Sequence, residues 1–266
     1  VVGDFFQCFV SQFSMPNSFR LFWPLSLLSI CIFRQPLIAS CQNLYTIVDT
    51  NQARWFDETV EIDQPDDGSI FSLQDSGYLG NSPSYTNNGD GTITDENTGL
   101  VWTADRGENR VSWASAVAAI DYMNSESYLG YNDWRVPTVK ELYSLIDFSG
   151  LDPTTGEVTS SLVPFIDSSY FPFEYGTGDW RVIDTQYVTS TEYLSPVEEG
   201  IFFGVNFGDG RIKGYPTSGE GISEQYFALY VRGNPDYGLN SFSLEGDIVV
   251  DSATGLTWTR ADSGGG

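Results

Sequence analysis

A nine-residue phrase occurs twice in this chain, and the distance between its copies sets the architecture. Residues 95–103 read DENTGLVWT and residues 251–259 read DSATGLTWT, an offset of 156 with six of nine positions identical. Solenoid repeats recur every ~20–50 residues, so this period belongs to a whole domain. Each copy follows a Gly/Asp pair, Asp90-Gly91 in the first and Gly246-Asp247 in the second. The sequence therefore reads as one complete module over residues 85–238 and the opening of a second, truncated module over 239–266. Residues 42–84 form a lead-in with turn signals at Pro65-Asp66-Asp67-Gly68 and from Gly77 to Pro83.

What the chain lacks narrows its chemistry further. It has no histidine, and its three cysteines (Cys8, Cys31, Cys41) all lie at or before position 41. Ser-His and Cys-His nucleophile pairs, His/Cys zinc sites and disulfides within the module are thereby excluded. A pair of carboxylates, as in glycosidases, remains open. The net charge is −24, which disfavours nucleic acid and sulfated polysaccharide. Such a surface attracts cations, and calcium suits oxygen ligands. The 41% hydrophobic share of 266 residues suffices for a real core.

The N-terminal 41 residues read as a leader. Met15 is the expected start, Arg20 supplies a positive charge, and residues 21–33 form an apolar run. That run is too short to cross ~30 Å of hydrocarbon but fits a signal peptide. Ile38-Ala39-Ser40-Cys41 resembles a lipobox, which makes Cys41 a lipidation candidate. Arg34, Gln35 and Pro36 interrupt the approach to it, and a plain signal-peptide cut nearby is the alternative. The expectation is export to the cell surface or outer membrane, otherwise to the periplasm or medium. The only membrane attachment envisaged is the lipid.

Along the module, Asn88-Gly89-Asp90-Gly91 predicts a turn, and residues 92–94 and 100–103 predict a hairpin. Ser112 caps a first helix whose buried face is Trp113, Ala116, Val117, Ile120 and Met123. Thr138 and Glu141 form a capping box for a second, which buries Leu142, Leu145 and Ile146. Between them, Asp133-Trp134-Arg135 reads as an anchor, with Trp134 in the core and its charged neighbours bonding to backbone or to each other. Residues 147–185 are long, irregular and rich in aromatics, among them Tyr175 and Trp180; loops this long are uncommon unless functional. Strands follow at 187–193, 201–207, 211–215 and 227–232, and residues 45–48 predict an edge strand. Helices before a run of strands indicate an α+β layout with a mostly antiparallel sheet.

GDGTITDENTGLVWT, the Trp113 to Ala116 helix start, DWRVPTVKEL, STEY, VNFGDGRIKGY and FALYVRG together resemble the Lcl C-terminal domain family. This domain of unknown function is named for the tail of a bacterial collagen-like adhesin. The resemblance runs in order from about Tyr85 to Gly233 and implies a C-type-lectin-like fold, with two helices flanking a twisted antiparallel sheet and long loops forming a binding face. Family members often carry cysteines near the first helix and in the last strand, and this chain has none there. The cysteine-dependent oxidase chemistry of formylglycine-generating relatives therefore does not carry over.

Two candidate sites follow. Asp90, Asp95 and Glu96 are the candidates for a calcium site. An EF-hand count from Asp90 places Thr86 and Asn97 where acidic ligands belong, and the second copy does not reproduce the spacing. Phe203, Asn206, Asp209, Arg211 and Tyr215 alternate along a hairpin and are the candidate ligand contacts, by analogy with the fold class. Thr189-Ser190-Thr191 has no base beside it. The resulting reading is a non-catalytic binding or adhesion module for an extracellular glycan or protein. A structural or assembly module, and a carboxylate-dependent glycan hydrolase, are the alternatives.

Overall fold

The computed structural model describes residues 44–262 apart from 79, 108, 154–160, 196, 198 and 220–223; the leader, including Met15 and Cys41, lies outside the described residues. The described residues all belong to one compact unit, residues 41–266. No helix among them is long and apolar enough to cross a membrane.

The architecture is α+β. A lead-in hairpin, β1 (Trp55–Phe56) and β2 (Glu61–Ile62), precedes β3 (Tyr85–Asn87), β4 (Thr92–Asp95) and β5 (Val101–Thr103). Helices α1 (Trp113–Ser125) and α2 (Val139–Tyr143) come next, then β6 (Gln186–Tyr187), β7 (Ile201–Asn206), β8 (Arg211–Pro216) and β9 (Val231–Arg232). The chain closes with β10 (Phe242–Glu245), β11 (Ile248–Asp251) and β12 (Leu256–Thr259). Their sheets have the orders β1-β2, β3-β4-β5-β9, β6-β7-β8 and β10-β11-β12, with all strand pairings antiparallel.

Both helices begin where their caps require. Ser112 Oγ accepts from Ser115 N at 3.1 Å. At α2 the box closes both ways: Glu141 N donates to Thr138 Oγ1 at 3.2 Å, and Thr138 N donates to Glu141 Oε2 at 2.8 Å. Such reciprocal bonds satisfy amides that a helix start leaves without partners. Along α1, Ala116 and Met123 are buried and Trp113 and Ile120 half-buried, but Val117 is exposed, contrary to expectation. At 100° per residue it falls roughly a quarter-turn off the stripe formed by the other four.

The Asp133-Trp134-Arg135 anchor is built as a clasp. Trp134 is buried and its Nε1 donates to Tyr128 O at 2.8 Å, while Asn124 brackets its backbone. The flanking charges do not meet each other. Asp133 accepts from Arg232 Nε at 2.6 Å, and Arg135 pairs with the buried Glu141. The segment therefore ties β9 to the start of α2.

The core gathers Ile93, Leu100 and Trp102 of the β3-β4-β5-β9 region with Leu142 of α2, Leu145 and Ile146 just after it, and Phe207 beyond β7. A smaller cluster sets Ala116 of α1 against Val188, Phe202 and Tyr226. Two expected strands are shorter than read. Residues 187–193 pair as a ladder only at 186–187, and residues 227–232 only at 231–232. The reason is a change of partner: Phe227 bonds to Gln186 and Val188, whereas Tyr230 already bonds to Thr103 of the other sheet. In the lead-in, residues 45–48 make one bridge, Val48 to Asn81, instead of an edge strand. Just beyond that bridge the lead-in is tied to the segment after α2, where Phe148 N donates to Thr50 O at 2.8 Å and Arg54 Nη2 donates to Gly150 O at 3.0 Å.

The repeated phrase folds the same way twice. Asp95 Oδ1 accepts from Asn97 N at 2.9 Å and Gly99 N returns to Asp95 O at 2.8 Å; Asp251 Oδ1 accepts from Ala253 N at 3.2 Å and Gly255 N returns to Asp251 O at 2.8 Å. Gly99 and Gly255 have φ of 69° and 76°, the left-handed region that favours glycine. Ladder β10-β11-β12 thus repeats β3-β4-β5. Burial separates them, for Trp102 is fully buried while Trp258 is 54% exposed.

The two motif aspartates differ in charge preference. Burial pushes the Asp95 carboxyl up, and the bonds from Thr98 and Asn97 offset this only in part. For Asp251 burial also pushes up, but bonds from Ser241, Asn240, Thr254 and Ala253 outweigh it and hold the group at about 2. The stability Asp251 contributes is present above the ordinary carboxylate value of about 3.9 and is lost as pH falls towards about 2. Asp95 works in the opposite direction, favouring folding below about 3.9 and less as pH rises through its own raised value. Carboxyl-carbon NMR titration is expected to show Asp95 protonating at higher pH than Asp251; the reverse order would remove this account of the two copies.

Candidate functional site

The long loop after α2 returns to the module opposite the segment that links β5 to α1, and a cavity of about 330 Å³ lies between them. Arg110 and Asn109 line it from the linking segment, Glu174, Tyr175, Thr177 and Trp180 from the loop, and Gln225 and Phe227 from the approach to β9. Its volume is within the ~300–1,000 Å³ range of small-molecule sites.

Arginines stacked on aromatic rings dominate the chemistry. The Arg110 guanidinium carbon lies 3.9 Å from the centre of the Trp180 ring and 4.4 Å from that of Phe227. Arg106 stacks on the same Phe227 ring at 4.0 Å. Each contact is a cation–π attraction, stronger where water is excluded. Arg110 Nη2 donates to Asp184 O at 2.6 Å, and Arg106 Nη2 pairs with Glu174 at 3.0 Å. Burial lowers the Arg110 pKa, the Asp184 charge raises it, and the neighbouring Arg106 charge lowers it again. The Arg110 guanidinium stays charged at neutral pH. The Tyr175 hydroxyl is buried without a protein partner, and burial pushes its pKa up to about 12.

Short local bonds hold Trp180 in place. Gly176 N donates to Val182 O at 3.1 Å, Trp180 N donates to Thr177 O at 3.2 Å, and Arg181 forks onto Asp184 at 2.7 and 3.0 Å. At Gly176 a Cβ would lie 1.9 Å from the Arg181 carbonyl oxygen. That is backbone and cannot rotate away. Gly176→Ala is expected to cost about 1–3 kcal/mol as an overpacked site and to free Trp180, read as a lower urea midpoint with increased acrylamide quenching. A variant with unchanged quenching would show that this turn does not hold the wall.

A family model described as the Lcl C-terminal domain matches residues 91–232. The chain belongs to the Lcl C-terminal domain family. No curated protein and no solved structure matches it significantly. The matched span contains every residue lining the cavity, whereas the lead-in and the β10-β11-β12 sheet lie outside it.

Within this Lcl C-terminal domain, the hairpin residues singled out in the sequence do not share one outward face. Register decides this: Phe202 pairs with Tyr215 and Asn206 with Arg211, which leaves Phe203 on the opposite side. Phe203 packs on Tyr193 at 5.6 Å, and Tyr215 lies in an aromatic stack with Phe202 and Tyr226. Asp209 is buried and pairs with Lys213 and Arg211. Arg211 is exposed and also bridges to Asp152. Asn206 is buried, accepting from Thr185 Oγ1 and donating to Ile183 O, both at 2.6 Å. It anchors the end of the loop that carries Trp180.

The calcium candidates also separate. Asp90, at the exposed turn, accepts from Thr92 Oγ1 at 2.6 Å, while Asp95 is buried at the far end of β4. Glu96 donates its backbone amide to Ser84 O at 2.9 Å. A strand's length parts the two aspartates, and among the described residues no three acidic or cysteine side chains gather where they could hold a metal.

Sequence reading named Tyr175 and Trp180 only as loop aromatics and missed Arg106 and Arg110. A signal was present. Beyond Cys41 only ten residues are basic against 35 acidic, and two of the ten sit four apart in one short link.

Proposed function

We propose that this chain is a non-catalytic binding module of an exported, surface-displayed protein, built on a lectin-like scaffold, and that it recognises its ligand in the cavity beneath Trp180. The observation that carries this reading is Arg110, a guanidinium held between two aromatic rings on a cavity wall in a chain of net charge −24. Holding two like charges beside one ring costs self-repulsion, a feature that suits recognition. Among the described lining residues Glu174 is the single carboxylate, where glycoside hydrolysis uses a pair.

Incubating the full chain with a glycan and peptide array tests the reading. Retention of a ligand, without release of reducing sugar or cleaved peptide, is the expected result. Turnover of the retained ligand would contradict it.

Assembly is a second reading, favoured by one observation. The β10-β11-β12 sheet leaves Phe242, Leu244 and Trp258 exposed, an apolar face of the kind that marks contact with protein. In this reading residues 239–266 begin a second module. Sedimentation of the full chain separates the two: self-association lost on Trp258→Ser would favour assembly.

A further inference from the structure

The cavity's charge balance points to a ligand class, an inference that rests on the cavity being the binding site. Within the module, Arg106, Arg135, Arg181, Arg211 and Arg232 each pair with a carboxylate. Arg110 makes no direct ion pair among the described residues: its protein bond is to the backbone carbonyl of Asp184, and the Asp184 and Glu174 charges act on it without such a contact. In a chain with so many acids, an arginine left unpaired on a cavity wall calls for an explanation. Packing on Trp180 and Phe227 accounts for where its carbon skeleton lies. It does not account for a guanidinium fork left without a direct carboxylate contact.

Geometry narrows the anion. With Trp180 and Phe227 both within stacking distance, the guanidinium has its edge left to offer a ligand. A planar fork of N–H donors matches a planar carboxylate at two points. The charge of Arg106 is already met by Glu174 at 3.0 Å, which leaves Arg110 as the lining arginine that makes no direct ion pair among the described residues, and its fork has room for one carboxylate. An extended polyanion would meet the repulsion of the surrounding acidic surface. The rest of the wall is polar: Asn109, Thr177 and Gln225 supply amide and hydroxyl groups. These groups suit a hydroxylated body.

We propose that the cavity binds a small hydroxylated molecule bearing a single carboxylate, of the uronic or sialic acid type, with Arg110 forking the carboxylate and the polar wall meeting the hydroxyls.

Isothermal titration of the full chain with glucuronate, N-acetylneuraminate, glucose and inorganic phosphate tests this. At least one of the two carboxylates is expected to bind, and glucose and phosphate at least about tenfold more weakly. Arg110→Gln is expected to weaken the carboxylate about tenfold or more. Arg110→Lys, which keeps the charge but loses the fork, is expected to weaken it as well. Thr177→Trp, placed on an exposed loop position to fill the cavity, gives a second variant that leaves the stacked arginines untouched, and it is expected to abolish binding. Failure of both carboxylates to bind, or binding indifferent to a folded Arg110→Gln, overturns the proposal. Glucose or phosphate binding as tightly as the carboxylates, and lost in Thr177→Trp, overturns the ligand class while leaving the cavity as the site. An array ligand retained equally by Thr177→Trp removes the cavity itself.

Discussion

Trp102→Ala is expected to lower the stability of the chain by about 3–5 kcal/mol, whereas Trp258→Ala, the same residue of the repeated phrase, should stay within about 0.5 kcal/mol. Both tryptophans end a DxxTGLxW motif, and both strands carry matching ladders. What differs is what covers them. Trp102 lies in the main core beside Ile93, Leu100 and Phe227 and is fully buried, while Trp258 stands 54% exposed. Removing Trp102 forfeits apolar burial and leaves a cavity that the helices and second sheet cannot collapse to fill. Removing Trp258 exchanges water-facing surface for smaller water-facing surface. Urea unfolding of the two variants checks this. Equal losses would mean that the second copy is covered in solution by something the described residues do not include.

Glu141→Ala should cost about 3 kcal/mol by the same measurement, and Glu141→Gln less by only the ~1 kcal/mol of the capping hydrogen bond it keeps. Glu141 is 1% exposed and serves two partners, closing the α2 capping box on Thr138 N and neutralising Arg135. Stripping one side of a buried pair costs about 3–5 kcal/mol because the remaining charge is left uncompensated. The lower end applies here, since the Arg135 side chain keeps 28% of its surface in water. Glutamine retains an oxygen for Thr138 N and loses only the charge. Equal losses for Ala and Gln would show that the ion pair, and not the cap, carries the whole effect. No loss in either would remove the clasp between β9 and α2 from the account.

The parts of this fold that were legible in the sequence depend on neighbours in the chain. Ser112 and the Thr138–Glu141 box state where helices start because a cap bonds amides two or three residues away. The repeat at residue 251 announced a hairpin whose Asp, Thr and Gly all bond within four residues. Trp134 was readable as core because its polar flanks leave it little else to be. The candidate site was not legible in the same way. Its walls come from residues 109–110, 174–180 and 225–227, and only the folded sheets bring those segments together. Alternation along the 201–215 hairpin suggested an outward face, but a strand packed on both sides hides alternate residues equally, and Asn206 and Asp209 went inside. The short ladders at β6 and β9 escaped for a related reason. A strand that changes partner midway carries the same β-prone residues as one that does not.

A nitrogen-15 spectrum of the tryptophan indoles, recorded on the full chain with the ligand retained on the array, bears most directly on the claim that this module recognises through the cavity beneath Trp180. The chain has seven tryptophans, and only Trp180 lines that cavity among the described residues. The account predicts a saturable shift of the Trp180 indole, with the exposed Trp258 and the core residues Trp102 and Trp134 unmoved. A shift confined to Trp258, or a ligand consumed during the titration, would contradict it.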